Sequence, residues 1–123
     1  MLTETFLQVL RHEGVVAIVT CANNEAHVVN TWNTYLQVTE DHRILVPAWA
    51  MRKTEANITQ NNTVLLTVGC KEVQGKMGAG TGFLLKGTAR FIASGPEWEM
   101  MKEKFPFLTR VLEVTVHSIK QTI

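Results

Sequence analysis

The feature that most constrains this chain is a series of short, β-branched apolar runs with no helix of crossover length between most of them. "VVAIVT" (15–20), "ILVPA" (44–48), "TVLLTVG" (63–69), "FLLKGTARFIA" (83–93) and "VLEVTVHSI" (111–119) all read as strands. "HVVNTWNTYLQVT" (27–39) alternates along its length and reads as one long, polar-rich strand that bends or bulges in the middle. Six such strands with short connections predict a mainly β fold with short helices, a small antiparallel β-barrel or α+β domain. A doubly wound Rossmann sheet is disfavoured, because strands and crossover helices do not alternate regularly.

Three short helices complete the pattern. In "TETFLQVLRHEG" (3–14) Phe6, Val9 and Leu10 share a face, and Gly14 reads as the stop. "KTEANITQN" (53–61) places Ala56 and Ile58 inward, and "SGPEWEMMKEKF" (94–105) opens with a capping box of Ser94 and Glu97, with Pro96 in the first turn. "CKEVQGKMGAGTG" (70–82) reads as a glycine-rich connection. The 123 residues fit a single domain, 1–123, able to bury a core without metals or disulfides.

The net charge of +1 argues against nucleic-acid binding driven by overall charge, though not against a local basic site. Cys21 and Cys70 stand far apart with no C-x-x-C, which favours a reducing compartment over secretion. The N-terminus lacks the basic and apolar regions of a signal peptide, and no run is long enough to span a membrane, so a cytoplasmic location is expected. The histidines (His12, His27, His42, His117) are scattered without metal-ligand spacing, and no metal is expected.

Two stretches carry candidate chemistry. In "PAWAMRKTEAN" an apolar run ends in Pro47, Ala48, Trp49 and Met51, then meets Arg52, Lys53 and Thr54 at a helix start. Unpaired backbone N–H groups, two cations and a hydroxyl outline an anion site. A solvated turn with ordinary surface cations is the equal alternative. In "NTWNTYLQ" Asn30, Thr31 and Asn33 offer hydrogen bonds and Trp32 and Tyr35 offer rings, the mixture a planar heterocycle needs. Core packing of Trp32 is the stronger alternative for that stretch taken alone. The cluster Gly75, Gly78, Gly80 and Gly82 holds half of the eight glycines. It lacks the following helix of a dinucleotide fingerprint. No nucleophile elbow and no acid–base pair can be assigned, so catalytic residues are unknown.

"EGVVAIVT", "HVVNTWNTYLQV", "RILVPAWAMRKTEAN" and "GAGTGFLLKGTARF", in this order and spacing, resemble the small FMN-binding proteins of sulfate-reducing bacteria, within the pyridoxamine 5′-phosphate oxidase-like, split β-barrel superfamily. The resemblance runs from Glu13 to the last strand. It implies a six-stranded antiparallel split barrel and a homodimer with FMN at the interface. It implies a phosphate held by Lys53 and Thr54, helped by Arg52 and by Asn30 or Thr31. The flavin ring would lie near Trp32 and Tyr35, along Val46, Pro47, Ala48 and Trp49. Gly80, Thr81 and Gly82 would approach the ring or ribityl chain, and Ile123 would reach the partner's flavin.

The sequence departs from that family in two places. The family carries a tryptophan in the segment matching "KFPFLTR", where this chain has Phe105 and Phe107, and a small glycine where this chain has Trp49. The implied function is a non-covalent flavoprotein that transfers electrons, its redox partner unidentified. The alternative is a flavin-dependent enzyme of the same superfamily, a flavin reductase or an oxidase.

Overall fold

A computed structural model describes all of residues 1–123. Helix α1 (Glu4–Leu10) leads into strands β1 (Val15–Ala22) and β2 (Glu25–Trp32). A 3₁₀ turn (Asn33–Tyr35), β3 (Gln37–Val38) and β4 (Arg43–Ala48) follow. Helix α2 (Arg52–Gln60) precedes β5 (Thr63–Gln74) and β6 (Ala79–Ile92), and α3 (Pro96–Lys104) precedes β7 (Arg110–Gln121). The strands form one antiparallel sheet of seven, in the order β2-β1-β5-β6-β7-β4-β3.

The count is seven, not six, because the long alternating segment breaks at Asn33. The Asn33 side chain is fully buried and donates to the carbonyls of Val9 at 3.3 Å and Gly69 at 2.9 Å. Its backbone N–H donates to the Gly14 carbonyl at 2.9 Å. An asparagine committed to these partners cannot continue a two-sided ladder, so the chain turns there.

This break shapes the sheet. β2 and β3 are its two edges, yet only four residues separate them. Seven strands laid flat would put the edges about 29 Å apart at ~4.8 Å spacing. The five steps from Trp32 to Gln37 reach at most about 18 Å. The sheet must therefore curl, with a seam beside the turn.

The main core of 21 buried residues includes Val16, Ile18, Leu66, Leu85, Leu112 and Val114 from the strands. Helix α1 adds Phe6, Val9 and Leu10 to it, as its periodicity requires. Phe6 meets Phe83 edge to face with centroids 5.5 Å apart. A smaller cluster of Leu45, Met101, Leu108 and Val111 lies under α3.

Several local expectations change. Gly14 is not the stop of α1, which ends at Leu10; it is required because a Cβ there would lie 2.5 Å from Asn33 Nδ2 and 2.8 Å from the Gly69 carbonyl oxygen. In α2 the buried positions are Thr54, Asn57 and Ile58, and Ala56 is exposed. Asn57 turns inward because its amide donates to Thr20 Oγ1 at 3.1 Å in a buried pair. The capping box at α3 does not form: Gly95 (φ 104°) is the N-cap without a side-chain bond, and Glu97 instead binds Arg43. The glycine-rich connection is mostly strand. β5 runs to Gln74 and β6 starts at Ala79, with the turn closed by Gly75 N–H to Gly78 O at 2.7 Å. Cys21 and Cys70 are free thiols.

Candidate functional site

The strand ends and the turn at the seam converge on one pocket of about 200 Å³. β2 contributes Asn30, Thr31 and Trp32, and the 3₁₀ turn contributes Tyr35. The end of β4 and the residues after it contribute Pro47, Trp49 and Met51, and the loop before β7 contributes Phe107. Aromatic surface dominates: Tyr35 packs on Phe105 and Phe107 at centroid distances of 5.2 and 5.7 Å. Trp32 is 47% exposed and Trp49 66%, so neither belongs to the core. Large rings left this open beside a concavity are binding surface.

The polar groups of the pocket are held in place. Thr31 is buried, and Asn30 donates to the Val16 carbonyl at 3.3 Å. Beyond Pro47 the chain leaves the sheet through two successive left-handed residues, Ala50 (φ 60°) and Met51 (φ 54°). Non-glycine residues rarely adopt this conformation. Met51 is the N-cap of α2 and offers no side-chain bond to the helix start.

The start of α2 therefore keeps its N–H groups without a side-chain cap, and they form the positive end of the helix dipole. The Thr54 hydroxyl sits in this first turn, fully buried, with no hydrogen-bond partner. A buried hydroxyl without a partner costs about 1–3 kcal/mol, which asks for a ligand. Lys53 and Arg52 are exposed beside it, Arg52 pairing with Glu55 at 3.1 Å. An aromatic pocket leading to an uncapped, cationic helix start has the form of a site for a flat ring joined to an anion.

The other sequence candidates lie elsewhere. Val46 and Ala48 are fully buried and do not line the pocket, and Val46 belongs to the main core. Gly80, Thr81 and Gly82 are on β6, where Thr81 Oγ1 donates to the Ile123 carbonyl at 3.0 Å and Thr122 N–H to the Gly82 carbonyl at 2.8 Å. This binds the C-terminus to the β5–β6 hairpin, apart from the pocket. Two residues near the site lie outside the two stretches "NTWNTYLQ" and "PAWAMRKTEAN". Phe107 lines the pocket, and Arg110 donates to the Ala50 carbonyl from beneath the left-handed turn. Only the replacement of the expected tryptophan hinted at Phe107. Nothing in "TRVLEV" separates Arg110 from an ordinary strand-start cation.

A larger cleft, about 610 Å³, lies between α3 and the β4–β7–β6 ladder, lined by Arg43, Arg90, Ser94, Glu97 and Glu113. Its charges are matched. Arg43 binds Glu97 and Glu113, each at 2.6 Å, and Arg90 binds Glu113 at 2.6 Å. With these ions satisfied by one another, the cleft offers a ligand little. The smaller aromatic pocket is the better site.

Comparison with known proteins gives the family. Residues 2–123 match the model of the pyridoxamine 5′-phosphate oxidase family. The chain belongs to that family. A family relative, the FMN-binding protein of Nitratidesulfovibrio vulgaris (Miyazaki F), is 47% identical over 123 residues, covering the whole of both chains. Among solved structures, Group A Streptococcus HupZ superposes with a TM-score of 0.81 at 15% identity, covering 99% of this chain and 94% of that one. An FMN-binding protein from Syntrophomonas wolfei superposes with a TM-score of 0.72 at 14% identity, covering 88% and 76%. At those identities the likeness is one of fold. No helix of this family member is long and apolar enough to cross a membrane.

Proposed function

We propose that this protein binds FMN non-covalently and serves as an electron-transfer flavoprotein, with the cofactor at a homodimer interface. The observation that carries the reading is the buried, unpartnered Thr54 hydroxyl in the first turn of α2, the uncapped helix whose N-cap residue, Met51, lines the aromatic pocket. The 47% identical FMN-binding relative supports the choice of FMN among flavins. Thr54, Lys53 and the α2 N–H groups would hold the phosphate. Trp32, Tyr35 and Trp49 would flank the ring, and Asn30 and Thr31 would meet its polar edge or the ribityl chain. FMN, when bound, would supply the redox chemistry through its isoalloxazine ring. The residues here bind, orient and shield it, and no acid or base stands ready to act on a substrate.

Two features support the homodimer. The pocket, at about 200 Å³, is smaller than the roughly 300–1,000 Å³ usual for small-molecule sites. A second copy would complete the enclosure. The outward face of β2-β1-β5 is also largely apolar beside it: the registers Val28–Val19–Leu65, which meets Lys86 on β6, and Asn30–Ala17–Thr67–Leu84 run in rows, and Trp32–Val15 continues into the pocket. Val28, Val15 and Trp32 are all about half exposed in one protomer, as expected of a face awaiting a partner.

The test is direct. Purified protein should be yellow, with the visible absorbance bands of oxidised flavin, and should sediment as a dimer. Colourless protein that takes up no added FMN overturns the flavin reading. Reduction of the bound flavin by NAD(P)H at catalytic rates would replace the carrier by an enzyme.

A further inference from the structure

Arg110 poses a problem that the binding site as described does not use. Its side chain is 9% exposed, yet Nε and Nη1 have no hydrogen-bond partner. One N–H group, on Nη2, donates to the Ala50 carbonyl. The guanidinium lies over the Phe91 ring, 4.8 Å from its centroid, which covers one face but satisfies no donor. A buried cation with spare donors is costly unless an acceptor is near. The acid within ion-pair reach is Glu55, its Oε2 3.8 Å from Nε. That is an ion-pair distance, too long for a good hydrogen bond.

Glu55 meanwhile stands in the first turn of α2, where it is the turn's acidic residue. Its other oxygen accepts from Arg52 Nη1 at 3.1 Å. Arg52 is 74% exposed there, so the pair is solvated and weak. Glu55 thus lies between two guanidiniums, engaged with the exposed one and within a short movement of the buried one. An anion arriving at the start of α2 would compete with Glu55 for Arg52.

We infer that Arg110 is a positioning residue for the phosphate end of the site: it takes the Glu55 carboxylate when phosphate binds, and so releases Arg52 to the phosphate. This rests on the FMN reading above. The exchange satisfies the Nε donor of Arg110, neutralises the acid nearest the phosphate and frees a forked cation for it. Arg110 also holds the Ala50–Met51 turn through the Ala50 carbonyl, so one side chain fixes both the backbone and the charge of the phosphate end.

The experiment measures FMN and riboflavin affinities side by side by fluorescence quenching, since riboflavin lacks the phosphate. Glu55→Gln should tighten FMN about threefold and leave riboflavin unchanged. Arg110→Met should weaken FMN about tenfold with riboflavin within twofold. In the double variant the FMN-to-riboflavin ratio should return to that of Glu55→Gln alone, because there is no longer a carboxylate to hold. An Arg110→Met that weakens both ligands equally, or a double variant that stays as weak as Arg110→Met, overturns the exchange and leaves only support of the turn. If Arg110→Met does not fold, Glu55→Gln decides: an unchanged or lower FMN-to-riboflavin ratio overturns the inference. A wild-type protein with no preference for FMN over riboflavin would instead overturn the phosphate reading itself, and the inference with it.

Discussion

The Arg43 guanidinium reaches the Glu113 carboxylate at 2.6 Å, and through it strand β4 is fastened by side chains, as well as by its backbone ladder, to β7. Arg90 binds the other oxygen of Glu113 at 2.6 Å, and Arg43 also binds Glu97 on α3 and Asp41. Arg43 holds the Glu97 carboxyl below its ordinary value, and Arg90, then Arg43, do the same for Glu113. Groups with depressed folded values stabilise the fold above the unfolded carboxylate pKa, about 4.3. That stability is lost as pH falls through the folded values. The melting temperature should be flat from pH 7 to about 5 and fall below about 4.5. Arg43→Gln lets both folded values rise towards the unfolded one, so the variant should melt lower at pH 7 but lose less on acidification, its profile converging on that of the wild type at low pH. A variant that loses as much as the wild type on acidification, followed by circular dichroism, would place acid sensitivity elsewhere.

Glu113→Gln tests the same cluster at neutral pH. Removing one charge from a buried pair costs about 3–5 kcal/mol. Arg90 is 72% exposed and can return to water, so the expected loss here is smaller, about 2 kcal/mol. Urea unfolding measures it. A loss under about 0.5 kcal/mol would mean that the cluster is solvated despite its burial.

Thr54→Val separates binding from stability. The hydroxyl is buried without a partner, so valine should leave the flavin-free protein as stable or up to about 1 kcal/mol more stable. The same change should weaken FMN about tenfold and riboflavin little, as the loss of one charge-assisted bond requires. Lys53→Ala should weaken FMN by roughly 10- to 100-fold on the same comparison. Equal losses for both ligands would count against phosphate at this helix start.

Seven of the eight residues that line the aromatic pocket stand in the two stretches that the sequence singles out. Strand runs are β-branched and turns polar, so the mainly β fold could be read locally. The two stretches that meet at the pocket were recognisable because rings and hydrogen-bonding groups crowded one, and cations the other. The rest was not local. The break at Asn33 depends on carbonyls of Val9 and Gly69, distant in sequence. The capping box failed because Glu97 found a stronger partner in Arg43, 54 residues away. Arg110 gains its role only once β7 has placed it under the turn that follows β4.

Gly14→Ala tests the seam. A Cβ there would meet Asn33 Nδ2 at 2.5 Å and the backbone Gly69 carbonyl oxygen at 2.8 Å, contacts that cannot persist. The Asn33–Gly69 bond must give way, and with it the turn that aims Trp32 and Tyr35. The expected cost is about 2–3 kcal/mol, with weaker binding of FMN and riboflavin alike. A variant of unchanged melting temperature would show that the seam relaxes without strain.

Val28 tests the apolar face. Its side chain is half exposed and sits opposite Val19, whose neighbour on β5 is Leu65. In a lone protomer Val28→Glu places a charge in water, so folding should change by less than about 0.5 kcal/mol. In a dimer built on this face the same change buries a charge without a partner, which is strongly unfavourable. Sedimentation velocity should therefore find a dimer for the wild-type protein and a folded monomer for the variant. Because the pocket lies at the end of that face, the monomer should also bind FMN and riboflavin more weakly, in equal proportion. A variant that remains a dimer at micromolar concentration would move the interface to another surface. A monomer with full affinity would mean that one copy suffices for the site.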